Sequence, residues 1–156
     1  MAKPTYVGSS SSFGYKKVVF LTTGSDLQLS ANDSGCIFVI DADVADDGAV
    51  IYTLPKLADT DVGCTYKFVL DASPDNVIDI DRHADDADCI HGAIAHADTG
   101  TASADSDGTA QETVRFAAAA VKGDAFELTL LGNGTDKWWQ LSGFAGDNDH
   151  IAVANS

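Results

Sequence analysis

The residue types best suited to chemistry are concentrated between Asp79 and His96, in the stretch DIDRHADDADCIHGAIAH. It holds three of the four histidines, His83, His91 and His96, with Cys89 among a run of aspartates. Alternate side chains of a strand share a face, so Cys89 and His91 point the same way and form, with His83, a candidate set of metal ligands. Their spacing fits no standard zinc pattern. Read as a calcium loop starting at Asp79, the stretch offers Asp81 and His83 at the third and fifth positions. Ala84, however, stands where that loop needs glycine, and Ile90 where it needs a bidentate glutamate. We therefore expect no resident metal and no cofactor, and leave open loose binding of Ca²⁺ or Na⁺ by the aspartate-rich loops.

The rest of the chain carries no G-x-S-x-G elbow, P-loop, dinucleotide fingerprint or H-E-x-x-H pair, and the expectation is a protein that is not an enzyme. The triplets Asn32-Asp33-Ser34 and Asn133-Gly134-Thr135 fit glycosylation acceptors, but both read as turns first. Cys36, Cys64 and Cys89 are odd in number and are expected as small buried or half-buried hydrophobes rather than a disulfide.

The 156 residues carry 24 acidic groups against 9 basic ones, a formal charge of −15. Only Glu112 and Glu127 are glutamates; the other 22 acids are aspartates. Aspartate is a poor helix-interior residue and a good turn residue, which places the acidity in loops and argues against a helical protein. Nucleic acid is excluded as a partner, because phosphate contacts need clustered lysine and arginine. Such a charge also repels itself unless salt screens it. Aspartate-rich, lysine-poor surfaces resemble those of proteins from halophiles. The charge is uneven: residues 1–25 carry +3 and the remainder −18. A short basic arm on an acidic body reads as an arm that docks on an acidic neighbour. No run of 18 apolar residues and no apolar leader segment occur, so neither a membrane span nor a cleaved signal is expected.

The elements that must position these residues are short. Turn residues separate runs of strand length: YKKVVFLT, LQLS, CIFVIDA, AVIYTLP, TYKFVLDA, NVIDIDR, CIHGAIAHA, TVRFAAAAV, AFELTLL and KWWQLSG. About ten short strands at regular spacing predict an all-β fold, a single antiparallel β-sandwich or barrel-like domain. NVIDIDR alternates cleanly and predicts aspartates facing solvent. CIFVI is apolar on both faces, as expected of a strand between layers or at a subunit contact. TAQETVRFAAAAVKG has a helix reading, with a Thr109 to Glu112 capping box and Gly123 beyond the end, and a strand reading from the alternation of Val114, Phe116 and Ala118; fold context favours the strand. Residues 97–111 are small, polar and without period, hence a long loop.

Within GNGTDKWWQLSG, side-chain alternation forbids Trp138 and Trp139 from entering one core. A two-residue turn at Asn133-Gly134 sets Leu128 opposite Trp139 and Thr129 opposite Trp138. Trp139 then belongs to the core and Trp138 to a polar face. There Trp138 either lies flat over its own neighbours or is covered by another chain, tryptophan being enriched at buried interface anchors.

Two blocks together resemble a known type. SGCIFVIDADVADDGAVIYTLPKLADTDVGCTYKFVLDA and GDAFELTLLGNGTDKWWQLSG are similar to small β-sandwich virion proteins of tailed viruses, in particular capsid decoration (cement) proteins, with related modules in head and tail fibres. The likeness spans about Leu21 to Gly143 and rests on Ser34-Gly35, Leu54-Pro55, Gly63, Tyr66, Phe68, Gly123-Asp124 and Gly134. The N-terminal arm lies outside the likeness; the chain is read as residues 1–20, an N-terminal arm and first strand entry, 21–146, the sandwich domain, and 147–156, a C-terminal tail. The likeness implies a homotrimer on the outer capsid surface, bridging major capsid proteins; the basic arm and the outward Trp138 then supply the candidate interface, Lys3, Phe13, Lys16, Lys17 and Trp138. A head- or tail-fibre or baseplate β module and a free carbohydrate- or ion-binding β-sandwich are the alternatives, and the acidity fits a virus of a marine or haloarchaeal host.

Overall fold

A computed structural model describes residues 5–7, 16–22, 24–41, 44, 48–97, 102–103 and 110–154. Each of the ten strand-like runs contains a strand. In chain order the elements are β1 (Thr5–Val7), β2 (Val18–Leu21), β3 (Leu27–Gln28), β4 (Cys36–Ile40), β5 (Val50–Thr53), β6 (Thr65–Leu70), β7 (Ile78–Asp81), β8 (Ile90–His96), β9 (Ala102–Ser103), β10 (Thr113–Phe116), β11 (Ala125–Gly132), β12 (Lys137–Ala145) and β13 (Ile151–Ala154). Two short 3₁₀ turns, Ala31–Asp33 and Leu57–Asp59, complete the described elements. The fold is all-β, and no described helix is long and apolar enough to cross a membrane.

The strands form two sheets. One has eight strands in the order β1-β2-β4-β6-β11-β12-β8-β9, the other five in the order β13-β10-β7-β5-β3. The expectation of an antiparallel fold is corrected here: both sheets are mixed. β2 with β4, β4 with β6 and β12 with β8 are parallel in the larger sheet, and β3 with β5 and β5 with β7 in the smaller. The cause is the path of the chain. From β2 to β8 successive strands alternate between the sheets, so each return to a sheet follows a passage through the other and runs in the original direction. Parallel strands require such crossovers, and from β2 to β7 a strand of the opposite sheet supplies each one, while β8 reaches its parallel partner β12 through β9, β10 and β11.

One core serves both sheets. Alternation buries Cys36, Phe38 and Ile40 of β4, Tyr66, Phe68 and Leu70 of β6, and Phe126, Leu128 and Leu130 of β11. The smaller sheet contributes Val50, Tyr52, Ile78, Ile80, Val114, Phe116 and Ile151. Phe116 and Phe126 meet across the gap with ring centroids 4.9 Å apart. Trp139 is fully buried against Tyr66, centroids 5.5 Å apart.

Four further expectations change. The β11–β12 connection spans Asn133–Asp136, not two residues, and Leu130 rather than Leu128 lies opposite Trp139. Asn133 lengthens it by folding its side chain inward: Oδ1 accepts the N–H groups of Thr135 and Asp136 at 3.3 and 3.0 Å. A shift of two residues preserves side-chain parity, so Trp139 still faces the core and Trp138 the opposite side. The segment after Thr109 is a strand only to Phe116; Ala117 and Ala120 then close a turn through a 3.0 Å backbone bond. Asp79 does not face water but is 8% exposed, because Arg115, its register partner on β10, grips it with bonds of 2.6 and 2.7 Å. Finally, Ile151–Ala154 fall in the expected tail and form β13, while β9 falls in the expected long loop.

Candidate functional site

The outer face of the eight-stranded sheet is where the composition is most anomalous. Its outward residues are Val18 and Phe20 (β2), Ile37 and Val39 (β4), and Thr65, Lys67 and Val69 (β6). They continue as Ala125, Glu127, Thr129 and Leu131 (β11), Trp138, Gln140, Ser142 and Phe144 (β12), and His91, Ala93 and Ala95 (β8). None of the 22 aspartates is among them. The pairings align Phe20, Val39, Val69, Ala125, Phe144 and Ala95 in one row across six strands. Phe144 is 54% exposed and Phe20 38%, both large apolar surfaces open to solvent in the single chain. This answers the two-faced pattern of CIFVI: Ile37 and Val39 lie half-buried on this outer face.

Charge on the face is sparse and gathered around Glu127. Lys67 stands in register with Glu127, and the Lys16 ammonium lies 3.7 Å from the Glu127 carboxylate. Lys17 is exposed where β2 begins. Trp138 is half-buried opposite Leu131, its indole N–H donating to Gln140 Oε1 at 3.5 Å. Lys3 and Phe13 lie outside the described residues.

The outer face of the smaller sheet is built differently. Asp79 is held by Arg115, and Thr113 donates to Asp81 at 2.6 Å, where burial raises the Asp81 carboxyl above its ordinary pKa. Beside them Arg82 binds Glu112 at 2.6 Å, Asp88 at 3.3 Å and the His83 carbonyl at 3.2 Å. Asp81, Arg82, Ala84, Glu112 and Thr113 line a shallow cleft of about 180 Å³. Arg82 is held by Glu112 and Asp81 by the Thr113 hydroxyl, so the cleft is tied up by its own wall.

The sequence-predicted metal candidates do not converge. His83 sits in the turn after β7, its Nδ1 accepting the Asp85 N–H at 3.1 Å. Cys89 is 4% exposed, and burial pushes its thiol up to about 12, which keeps it protonated and a poor ligand. His91 is half-buried on the outer face, in register with Gln140. Among the described residues, the side chains whose ligand atoms lie within 4.8 Å of one another are those of Asp147, Asp149 and His150. All three cysteines are free, as expected.

That second cluster went unseen in the sequence. It lies between β12 and β13, and behind it His150 Nδ1 stands 2.8 Å from Asp124 Oδ2, although without the alignment of a hydrogen bond. Asp124 is 3% exposed and accepts the backbone N–H groups of Val121 and Gly146, each at 2.8 Å. The only sequence signal was the GDND run itself, which reads as a loop.

Fold and site together define an all-β protein of two mixed sheets around a shared core, with one acid-poor, apolar sheet face. Compared with known proteins, the chain matches no family model, no curated protein and no solved structure.

Proposed function

We propose that this chain is a structural virion protein without enzymatic activity: a capsid decoration (cement) subunit that forms a homotrimer on the outer surface of a tailed-virus head and braces neighbouring major capsid proteins. The observation that supports this reading is the aspartate-free face of the eight-stranded sheet, with its row from Phe20 to Ala95 and with Trp138 on the same face toward the other end of β12. In a chain of charge −15, water-facing surface is where aspartate is cheapest to place; a face that lacks it and exposes two phenylalanines fits burial against another chain. A second copy of this chain suits that face. Head-to-tail contacts of this face with a different surface of the next subunit close into a ring.

In this reading the two sheets stack as a β-sandwich, the basic arm with Lys3 and Phe13 reaches the capsid, and Trp138 is an interface anchor. The mechanism is mass action. A clamp that binds only the assembled lattice stabilises it by its binding free energy, and three linked copies raise the effective concentration at each contact.

Light scattering on the purified chain tests the proposal. A trimer has a mass near 49 kDa, three times 16.2 kDa, and Phe144→Asp, which buries a charge in the contact, reduces it to monomer while the fold persists. A monomer at both low and molar salt overturns the trimer and favours a free binding module, with Trp138 as a platform for a sugar ring.

A further inference from the structure

We propose that Asp26 and Gln28 guard the edge of β5, and that removal of the Asp26 cap lets residues 49–54 pair edge to edge with the same segment of a second copy. This surface is the backbone edge of the smaller sheet, apart from the face of the larger sheet assigned to the trimer.

The smaller sheet ends at β3, a strand of two residues. Its pairing with β5 reaches only Tyr52 and Thr53. The N–H groups of Val50 and Leu54 donate toward β7, to Val77 O at 3.3 Å and Asp81 O at 2.7 Å. Alternation along β5 turns the Ile51 N–H the other way, toward the edge. Among the described residues a side chain meets it there: Asp26 Oδ1 accepts the Ile51 N–H at 2.9 Å, one step beyond the last paired residue. At the opposite end Leu29 N–H donates to Thr53 O at 2.9 Å. Gln28 Nε2 adds bonds to Thr53 O at 3.3 Å and Leu54 O at 2.9 Å. Pro55 follows and has no N–H to offer a further strand. Two side chains and a two-residue strand thus close an edge that a full strand would otherwise cover.

The segment behind that edge is one that needs closing. GAVIYTLP, residues 48–55, carries no charge in a chain with 24 acidic groups. Its six residues AVIYTL combine high β-propensity with zero charge, the composition of segments that stack as cross-β. CIFVI is similarly uncharged, but β4 is paired with β6 along its whole length and with β2 over four of its residues. An uncovered edge is a template for another strand, and natural proteins blunt it with short edge strands and charged side chains. Asp26 does both: it occupies the donor of Ile51 and sets a negative charge where a copy would approach. A second copy is the partner this edge fits, because an identical segment brings the same uncharged side chains and the matching donors and acceptors.

Hydrogen exchange and thioflavin T binding of the full chain, below the melting temperature of each variant, test the guard. In Asp26→Ala the Ile51 amide exchanges about fivefold faster, and thioflavin-positive assemblies grow with protein concentration. Asp26→Asn keeps an acceptor oxygen, retains the protection and stays free of assemblies, as does the natural chain. Ile51 is half-buried on the outward side of β5, and adding Ile51→Lys to Asp26→Ala places a charge on the pairing strand and abolishes the assemblies. The proposal is overturned by unchanged Ile51 exchange in Asp26→Ala, by the absence of assemblies in that variant, by equal assembly of Asp26→Asn, or by assemblies that persist after Ile51→Lys. The mass of the natural chain, whose guard is intact, answers separately for the trimer.

Discussion

Trp138 and Trp139, adjacent in the chain, lie on opposite sides of one sheet: Trp139 is fully buried against Tyr66, and Trp138 is half-buried on the outer face opposite Leu131. Their substitutions must therefore fail differently. Trp139→Ala empties a core position and costs about 3–5 kcal/mol of fold stability in urea titration. Trp138→Ala costs less than about 1 kcal/mol in the single chain and, under the proposed trimer, instead lowers the mass read by light scattering. Equal loss of stability in both variants would contradict the register.

Asp79 and Arg115 form the best-defined ion pair of the smaller sheet, with two bonds of 2.6 and 2.7 Å to a carboxylate that is 8% exposed. Removing the arginine strands a buried charge, which costs more than the pair itself contributes. Arg115→Ala is expected to lose about 2–3 kcal/mol at neutral pH. Asp79→Asn in the Arg115→Ala background should recover part of it, because it removes the stranded charge.

Asp81 predicts a pH dependence. Burial is the largest influence on it and raises its pKa in the fold above the ordinary 3.8, against the lowering effect of the Thr113 hydroxyl. The folded chain therefore holds this proton more tightly than the unfolded chain does. The cost of burying the charge is fully present above the folded pKa and disappears as pH falls through it toward 3.8. Asp81→Asn should raise the urea midpoint at pH 7, and its advantage over the natural residue should shrink across that acidic window. An advantage that stays constant with pH would mean the carboxyl is not responsible.

The net charge of −15 makes salt a stabiliser. Raising NaCl from about 0.1 to about 1 M shortens the Debye length from roughly 10 to roughly 3 Å and screens aspartates from one another. The urea midpoint is expected to rise steadily over that range. A flat response would show that the aspartates are already compensated locally.

Much of this was legible in one dimension. Each of the ten predicted runs holds a strand, and parity placed Trp139 inward and Trp138 outward, because side-chain alternation is a property of the backbone alone. The hairpin register was missed by two residues, since the side chain of Asn133 bonds forward to Thr135 and Asp136 and enlarges the loop. The face of Trp138 survived the error, because an even shift cannot change parity. Asp79 was placed in water because no local pattern reveals that Arg115, 36 residues away, lies beside it.

What the sequence by itself determined is the ten main strand runs, the opposite faces of Trp138 and Trp139 and the all-β character, all of them set by neighbours along the chain. Only the tertiary structure decided which strands are parallel, because that follows from the alternation between two sheets. It alone joined Phe20 to Phe144 in one apolar row, through four intervening pairings. It alone brought Asp124 to His150 and His96 to Asp147. Those contacts depend on where the chain crosses between sheets, and the free energy that fixes the crossing comes from the shared core rather than from any local run of residues.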